Sequence, residues 1–243
     1  MTSSPPEKST EQELRDKYLE IAELAGGLAH EIRNPLSTIS LNIGVLKEEL
    51  HESESPRDLR MLRRIESIQA ECVRLEAFLD EFLQFARVTE PHRQRCDLTD
   101  FVQELIQFVR LVLKGQDIEV SPHLDADLPA VSIDQAQFRR ALLNLIRNAQ
   151  QALPNGGVLE FQAYRAEADV VLEIIDNGQG IPETARETIF ETFYSTKPGG
   201  SGLGLPTTRK IVEAHQGTIQ CASEVGKGTR FRITLPACED EPA

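Results

Sequence analysis

The sequence predicts a long helical hairpin that pairs with a second copy into a four-helix bundle, followed by an α+β two-layer sandwich. Three observations carry this. Two apolar stripes at helical spacing lie in the first third of the chain. A short polar turn, Glu52-Ser-Glu-Ser-Pro56, separates them. Beyond residue 92 the pattern changes to short alternating runs interleaved with helical ones, the order that builds a sheet with helices on one face.

The first stripe is Leu24, Leu28, Ile32, Leu36, Ile39, Ile43, Leu46 and Leu50, with steps of three or four residues. Pro35 lies inside it. Proline removes one helical hydrogen bond and presses on the carbonyl four residues back, here Glu31, so a kink near 31–35, or two helices, is predicted. The second stripe runs Leu62, Ile65, Ile68, Cys72, Leu75, Leu79, Phe82 and Ala86, and stops before Pro91. A hairpin alone cannot bury both stripes; two hairpins can, which predicts a homodimer. The rival is packing of the stripes on the rest of the same chain.

The later elements follow in order. Leu98–Leu113 reads as a helix capped by Asp97 or Thr99. Ile118–Val120 reads as a strand and 128–133 as a short extended run. Asp134 caps a helix to about residue 153. Residues 157–164 and 169–175 alternate as strands. A glycine-rich region at 176–204 precedes a helix at 205–215, a strand near 217–223, a turn at Gly226-Lys-Gly228 and a last strand at 229–235. Residues 1–12 and 239–243 read as polar tails.

Composition excludes several classes of function. The 243 residues carry 26 Lys and Arg against 39 Asp and Glu, a net charge of −13, which opposes general nucleic-acid binding and docking on anionic membranes. No apolar run is long enough to span a bilayer, and the start lacks the apolar segment of a signal peptide, so a cytoplasmic location is expected. The four cysteines are dispersed without a CxxC, which argues for reduced structural thiols rather than zinc or disulfides.

Four clusters carry chemistry. Asn144 and Asn148, four residues apart, share a helix face; a carboxamide oxygen can bind Mg²⁺ and its NH₂ can donate to phosphate. Asp176-Asn-Gly-Gln-Gly180 follows an apolar strand, placing a carboxylate where it can accept from an exocyclic amine, with Gly178 and Gly180 allowing close backbone approach to a flat ring. Lys197-Pro-Gly-Gly-Ser-Gly-Leu-Gly204 feeds glycines into a helix N-terminus, an anion site that fits neither GxGxxG nor the P-loop. His30-Glu-Ile-Arg-Asn-Pro35 places an imidazole off the apolar stripe, mostly neutral at pH 7 and free to attack, beside the acid Glu31.

Together these segments resemble the catalytic core of sensor histidine kinases, roughly over residues 20–236. His30-Glu-Ile-Arg-Asn-Pro-Leu36 resembles the phospho-acceptor box and Asn144-Leu-Ile-Arg-Asn-Ala149 the N box. Asp176–Gly180 resembles the first glycine box, and Phe190-Glu-Thr-Phe-Tyr194 the F box. Gly202-Leu203-Gly204 resembles the second glycine box, and Gly226-Lys-Gly-Thr229 the last. Each box is weak alone; the ordered set is specific. The short stretch from Tyr194-Ser-Thr-Lys197 to Gly202, a short ATP lid, is similar to the nitrogen-regulation type.

The resemblance implies a dimerisation and phosphotransfer hairpin at 13–91 and an ATP-binding catalytic domain at 92–238, folded like the gyrase, chaperone and mismatch-repair ATPases. It implies a protein histidine kinase using ATP and Mg²⁺. Asp176 holds the adenine amine and Asn148 the Mg²⁺. Asn144, Arg147, Lys197, Leu203 and Thr229, with Gly178, Gly180, Gly202 and Gly204, complete the nucleotide site. His30 is the phospho-acceptor, Glu31 its base, and Asn34 orients a water for phosphatase chemistry. An aspartate of a response regulator is the next acceptor. Only about 20 residues precede the acceptor helix, so a separate sensor protein, or a longer parent chain, is expected to supply the signal. The alternatives are an ATP-binding adaptor acting through its bundle without phosphorylating itself, and an ATPase or serine kinase of the same superfamily.

Overall fold

A computed structural model describes residues 31–48, 50, 55–86, 90–197 and 200–238. The chain divides into two compact units between Arg87 and Val88.

In the first unit, residues 31–48 form helix α1 and Pro56–Ala86 form α2. Pro35 lies within continuous helix, so the two-helix alternative does not hold over the described residues. Ion pairs Arg33–Asp80 and Lys47–Glu66 are spaced fourteen residues apart on both helices in opposite senses, which makes the hairpin antiparallel. Leu36, Ile43, Ile65 and Cys72 are buried between the helices, and Leu79 and Leu83 form a second small cluster. The alternate members of the stripes stay outside: Ile39 is 45% exposed, Leu46 48%, Ile68 51% and Leu75 47%. Within one hairpin, each stripe is therefore only half covered.

The second unit is built on a five-stranded sheet. Its strands are β2 (Ile118–Leu124), β4 (Gly157–Ala166), β5 (Asp169–Asp176), β6 (Thr218–Glu224) and β7 (Gly228–Pro236), in the order β2-β4-β5-β7-β6. β2 runs parallel to β4 and the other neighbours are antiparallel. Helices α3 (Leu98–Val112), α4 (Gln135–Ala152) and α6 (Gly204–Ala214) contribute to one core with the sheet's inward side chains. Leu159, Phe161, Leu172, Ile174 and Ile233 meet Leu105, Phe138, Leu142, Leu145 and Val212 there. On the opposite sheet face Gln162, Glu173 and Arg232 lie in one row across β4, β5 and β7. Glu173 is buried on it because Arg232, its cross-strand partner, donates from Nε to Oε1 at 2.6 Å, with Arg230 Nε 3.8 Å from Oε2.

Two elements escape the sequence pattern: β1 (Gln94–Cys96), which pairs antiparallel with β3 (Val131–Ile133), and the one-turn helix α5 (Glu183–Arg186). Of the extended run at 128–133, only 131–133 forms a strand. Asp97, not Thr99, caps α3; Thr99 instead donates its hydroxyl to the Asp125 carbonyl at 3.1 Å.

Asp134 organises one corner. Its side chain caps α4 through the amides of Ala136 and Gln137 and also accepts the amide of His92 at 3.1 Å. Its own amide donates to Nε2 of the buried His215 at 2.9 Å, so His215 carries its proton on Nδ1 and donates to the Ile211 carbonyl at 2.7 Å. One neutral imidazole thus ties the start of α4 to the end of α6.

Burial pushes the His215 pKa below its ordinary value. A depressed histidine pKa adds stability above pH 6.5, and that contribution shrinks as pH falls below this value. Urea unfolding should show the chain losing stability from pH 7.5 to 5.5. His215→Asn should flatten that slope and cost about 1–3 kcal/mol at pH 7.5; equal slopes in the two proteins would contradict the assignment.

Candidate functional site

The site grows from the end of β5 and the outer face of α4. Leu142, Leu145, Ile146 and Ala149 turn one side of α4 into the core, which presents Asn144, Asn148 and Gln151 along the other. Central strand β5 delivers Asp176 at its last position, 5% exposed. The Asp176 carboxylate accepts the Gly178 amide at 2.9 Å and the amide of Thr229, its register partner on β7. Burial raises its pKa; those two amides and the charge of Lys197 oppose the shift.

The loop after Asp176 is stitched to its surroundings. Gln179 donates its amide to the Ala152 carbonyl at the end of α4 (3.2 Å), and Gly226 donates to the Gln179 carbonyl (2.8 Å). The Ile181 amide donates to Ser223 Oγ at 2.8 Å, and Ser223 donates to the Gly228 carbonyl at 2.7 Å. Ser223 has spent its one proton there, so across the 3.0 Å contact the Thr229 hydroxyl is the donor. Asn177 Oδ1 accepts the Val158 amide at 2.8 Å and fixes the start of β4 beside the loop.

These contacts give the glycines a role within the fold itself. The room at Gly178 and Gly180 is taken by the chain itself. A Cβ on Gly178 would meet the Ala152 carbonyl oxygen at 2.5 Å, and one on Gly180, at φ +71°, would strike the Glu224 carbonyl. A Cβ on Gly202, at φ +69°, would meet the Phe193–Tyr194 backbone at 2.5–2.6 Å, and the Gly202 carbonyl accepts the Phe193 amide at 3.1 Å. Gly204 differs: a Cβ there would meet only Asn144 Cγ, at 3.9 Å. Gly180→Ala and Gly202→Ala should each destabilise the chain by about 1–3 kcal/mol. Gly204→Ala should unfold within about 0.5 kcal/mol of the parent in the same denaturant titration; the reverse order would refute this account.

Three hydrogen bonds among the described residues join the face of α4 to the glycine-rich segment. Asn144 donates from Nδ2 to the Gly204 carbonyl at 3.2 Å. Lys197 Nζ reaches Gln151 Oε1 at 2.6 Å and Asn148 Oδ1 at 3.3 Å. Partial burial lowers the Lys197 pKa, and Asp176 opposes that shift. Leu203 is fully buried at the N-cap of α6 and offers no side-chain cap, so the first amides of α6 remain oriented for an anion. Arg147 is exposed on α4. Phe190 packs edge-on against Phe231, with ring centroids 6.5 Å apart, and Phe193 is 60% exposed.

A magnesium ion fits these donors in one way. No cluster of three or more His, Cys, Asp or Glu able to hold a metal exists among the described residues. One carboxamide oxygen, Asn148 Oδ1, suits an ion that keeps its waters and arrives on phosphate oxygens. The cysteines are free, and burial pushes the thiol of Cys221, on β6, up to about 11, with Arg186 opposing and Asp176 adding to the shift.

Asp176, Gly178, Thr229, Asn144, Asn148, Lys197 and Gly204 are thus linked within the second unit, while Arg147 stands on the same helix. Glu31 and Asn34 are exposed on α1 of the first unit. His30 lies outside the described residues. Sequence reasoning missed Gln151, Asn177 and Ser223. Gln151 could have been found as the next residue on the Asn144–Asn148 helix face.

Known proteins agree with this anatomy. Residues 20–91 match the His Kinase A (phospho-acceptor) domain family, and residues 133–239 match the histidine kinase-, DNA gyrase B- and HSP90-like ATPase family. Sensor histidine kinase ZraS of Escherichia coli O157:H7 is 34% identical over 226 residues, which is 93% of this chain and 48% of ZraS. The chain therefore spans about half the length of this curated relative. The mycobacterial sensor histidine kinase MprB structure is 30% identical with a TM-score of 0.53, covering 60% of this chain and 97% of that one. Histidine kinase ThkA, solved in complex with response regulator protein TrrA, is 25% identical with a TM-score of 0.66, covering 97% of this chain and 68% of that one. With a phospho-acceptor hairpin and an ATPase sandwich in this order, the chain belongs to the sensor histidine kinase family.

Proposed function

We propose that the chain is an ATP-dependent protein histidine kinase that phosphorylates His30 and passes the phosphoryl group to an aspartate of a response regulator. The observation that carries this reading is the buried Asp176 carboxylate, held at the end of β5 by the Gly178 and Thr229 amides, in the same unit as the Asn144–Asn148 face. A fixed acceptor of this kind suits the exocyclic amine of adenine. The uncapped start of α6, Asn144, Lys197 and Arg147 suit the phosphates. Asn148 would hold magnesium, which supplies neutralisation of charge on the transferring group.

In the phosphoryl step an imidazole nitrogen of His30 attacks the γ-phosphorus. The bond to the bridging oxygen breaks and ADP leaves with that electron pair. Glu31 takes the imidazole proton. Asn34, four residues after His30 in the sequence, would orient a water against the regulator's acyl phosphate. A response regulator as partner is supported by the resemblance to ThkA, itself solved with one.

The helical unit acts as a homodimer in this reading. Support comes from the half-covered stripes: Ile39, Leu46, Ile68 and Leu75 are about half exposed in one hairpin, and a second hairpin would cover them. Ile39→Glu with Ile68→Glu should convert a dimer to a monomer in analytical ultracentrifugation without loss of helix by circular dichroism. A monomeric parent would refute the dimer.

Incubation with γ-labelled ATP and magnesium should yield an acid-labile, base-stable label. His30→Gln should lose the label and keep ADP binding. Asp176→Ala should weaken ADP by about 100-fold in calorimetry, the loss expected for one buried charged acceptor. Label that survives His30→Gln, or unchanged affinity in Asp176→Ala, would overturn the corresponding role.

A further inference from the structure

Lys197 is seated on α4 by Asn148 and by Gln151, which lies past the N box. Its ammonium is 2.6 Å from Gln151 Oε1 and 3.3 Å from Asn148 Oδ1. Gln151 lies one turn beyond Asn148 on α4, and its side chain is exposed, so nothing in the core requires an amide there. The glutamine makes the shorter of the two bonds.

We propose that Gln151 is a positioning residue that seats the Lys197 ammonium as a resident cation on Asn148 Oδ1, and that the ammonium leaves this oxygen when a magnesium–nucleotide complex arrives. The inference rests on the nucleotide reading above. Its physical basis is charge and geometry. An oxygen ligand to Mg²⁺ lies about 2.0–2.1 Å from the ion. An ammonium held on the same oxygen would face a divalent charge a few ångströms away, and like charges at that separation repel. Lys197 and the ion therefore exclude each other at Asn148 Oδ1. A flexible four-carbon stem lets the displaced ammonium turn from this seat to phosphate oxygens without moving α4. In the free protein the same ammonium satisfies two carboxamide oxygens that would otherwise compete for water.

Gln151 thereby sets how much magnesium is needed. A firm seat raises the magnesium requirement; a weak one lowers it. Without magnesium no ion contests the oxygen, so ADP affinity under chelation should hardly depend on residue 151.

Two measurements test this on the full chain. The first needs no nucleotide: the Lys197 ammonium resonance in ¹⁵N NMR, assigned by Lys197→Gln, should shift and exchange faster with solvent in Gln151→Leu. An identical signal in the two proteins would show that the seat does not exist and would overturn the proposal. The second is calorimetry of ADP across a magnesium series. Gln151→Leu should lower the half-saturating magnesium concentration about three- to tenfold, and leave ADP affinity in chelator within twofold of the parent. In a Lys197→Gln background, Gln151→Leu should have no further effect, because it acts through Lys197. An unchanged or raised magnesium requirement in Gln151→Leu, or an equal effect in both backgrounds, would overturn it. If the parent chain binds no nucleotide, the nucleotide reading fails on its own, and the resonance of Lys197 still decides whether the seat exists.

Discussion

The second unit depends on one constraint, the burial of the Asp176 carboxylate at the end of the central strand. A carboxylate there is costly unless donors surround it. Two backbone amides meet that demand, from Gly178 in its own turn and from Thr229 on the neighbouring strand. To bring the first amide round, the chain turns at once and runs against the Ala152 carbonyl, which only a glycine at 178 tolerates. To bring the second, β7 must begin at Gly228, where a side chain would strike the Asp176 carbonyl. Ser223 then spans both sides. Strand, turn, the end of α4 and the β6–β7 hairpin are fixed by the surroundings of one ionisable group, and the face of α4 bearing Asn144 and Asn148 is fixed with them.

Much of this was legible in the sequence because local patterns and tertiary needs coincide. The stripes of the hairpin, the Asp134 cap, and the alternating strands on both sides of Ala166–Asp169 all announce themselves within a window of a dozen residues. What escaped depends on distant partners. Gln94-Arg-Cys96 has no alternation of its own and becomes a strand only because Val131–Ile133 lies beside it. Asp97 and Thr99 are equally good caps on paper; the Asp125 carbonyl, 26 residues away, claims the threonine and leaves the cap to the aspartate. Gln151 looks like any surface glutamine until Lys197 is placed against it.

The glycines of the motif answer first to the fold. Their spacing predicts close approach, and the structure shows close approach of backbone. The approaching groups at Gly178, Gly180 and Gly202 are the protein's own carbonyls and amides. Gly204, where a Cβ would meet only Asn144 Cγ at 3.9 Å, is the exception: the fold itself has room for a methyl group there.

Cys221 has a different kind of consequence. It shares β6 with Ser223, two residues from the hydroxyl that spans the site, and a reactive thiol there would expose the pocket to oxidants. With its pKa at about 11, only about one molecule in ten thousand carries a thiolate at neutral pH, and the thiolate is the form that peroxides and disulfides attack. Through this side chain the pocket is chemically deaf to the thiol–disulfide balance around it.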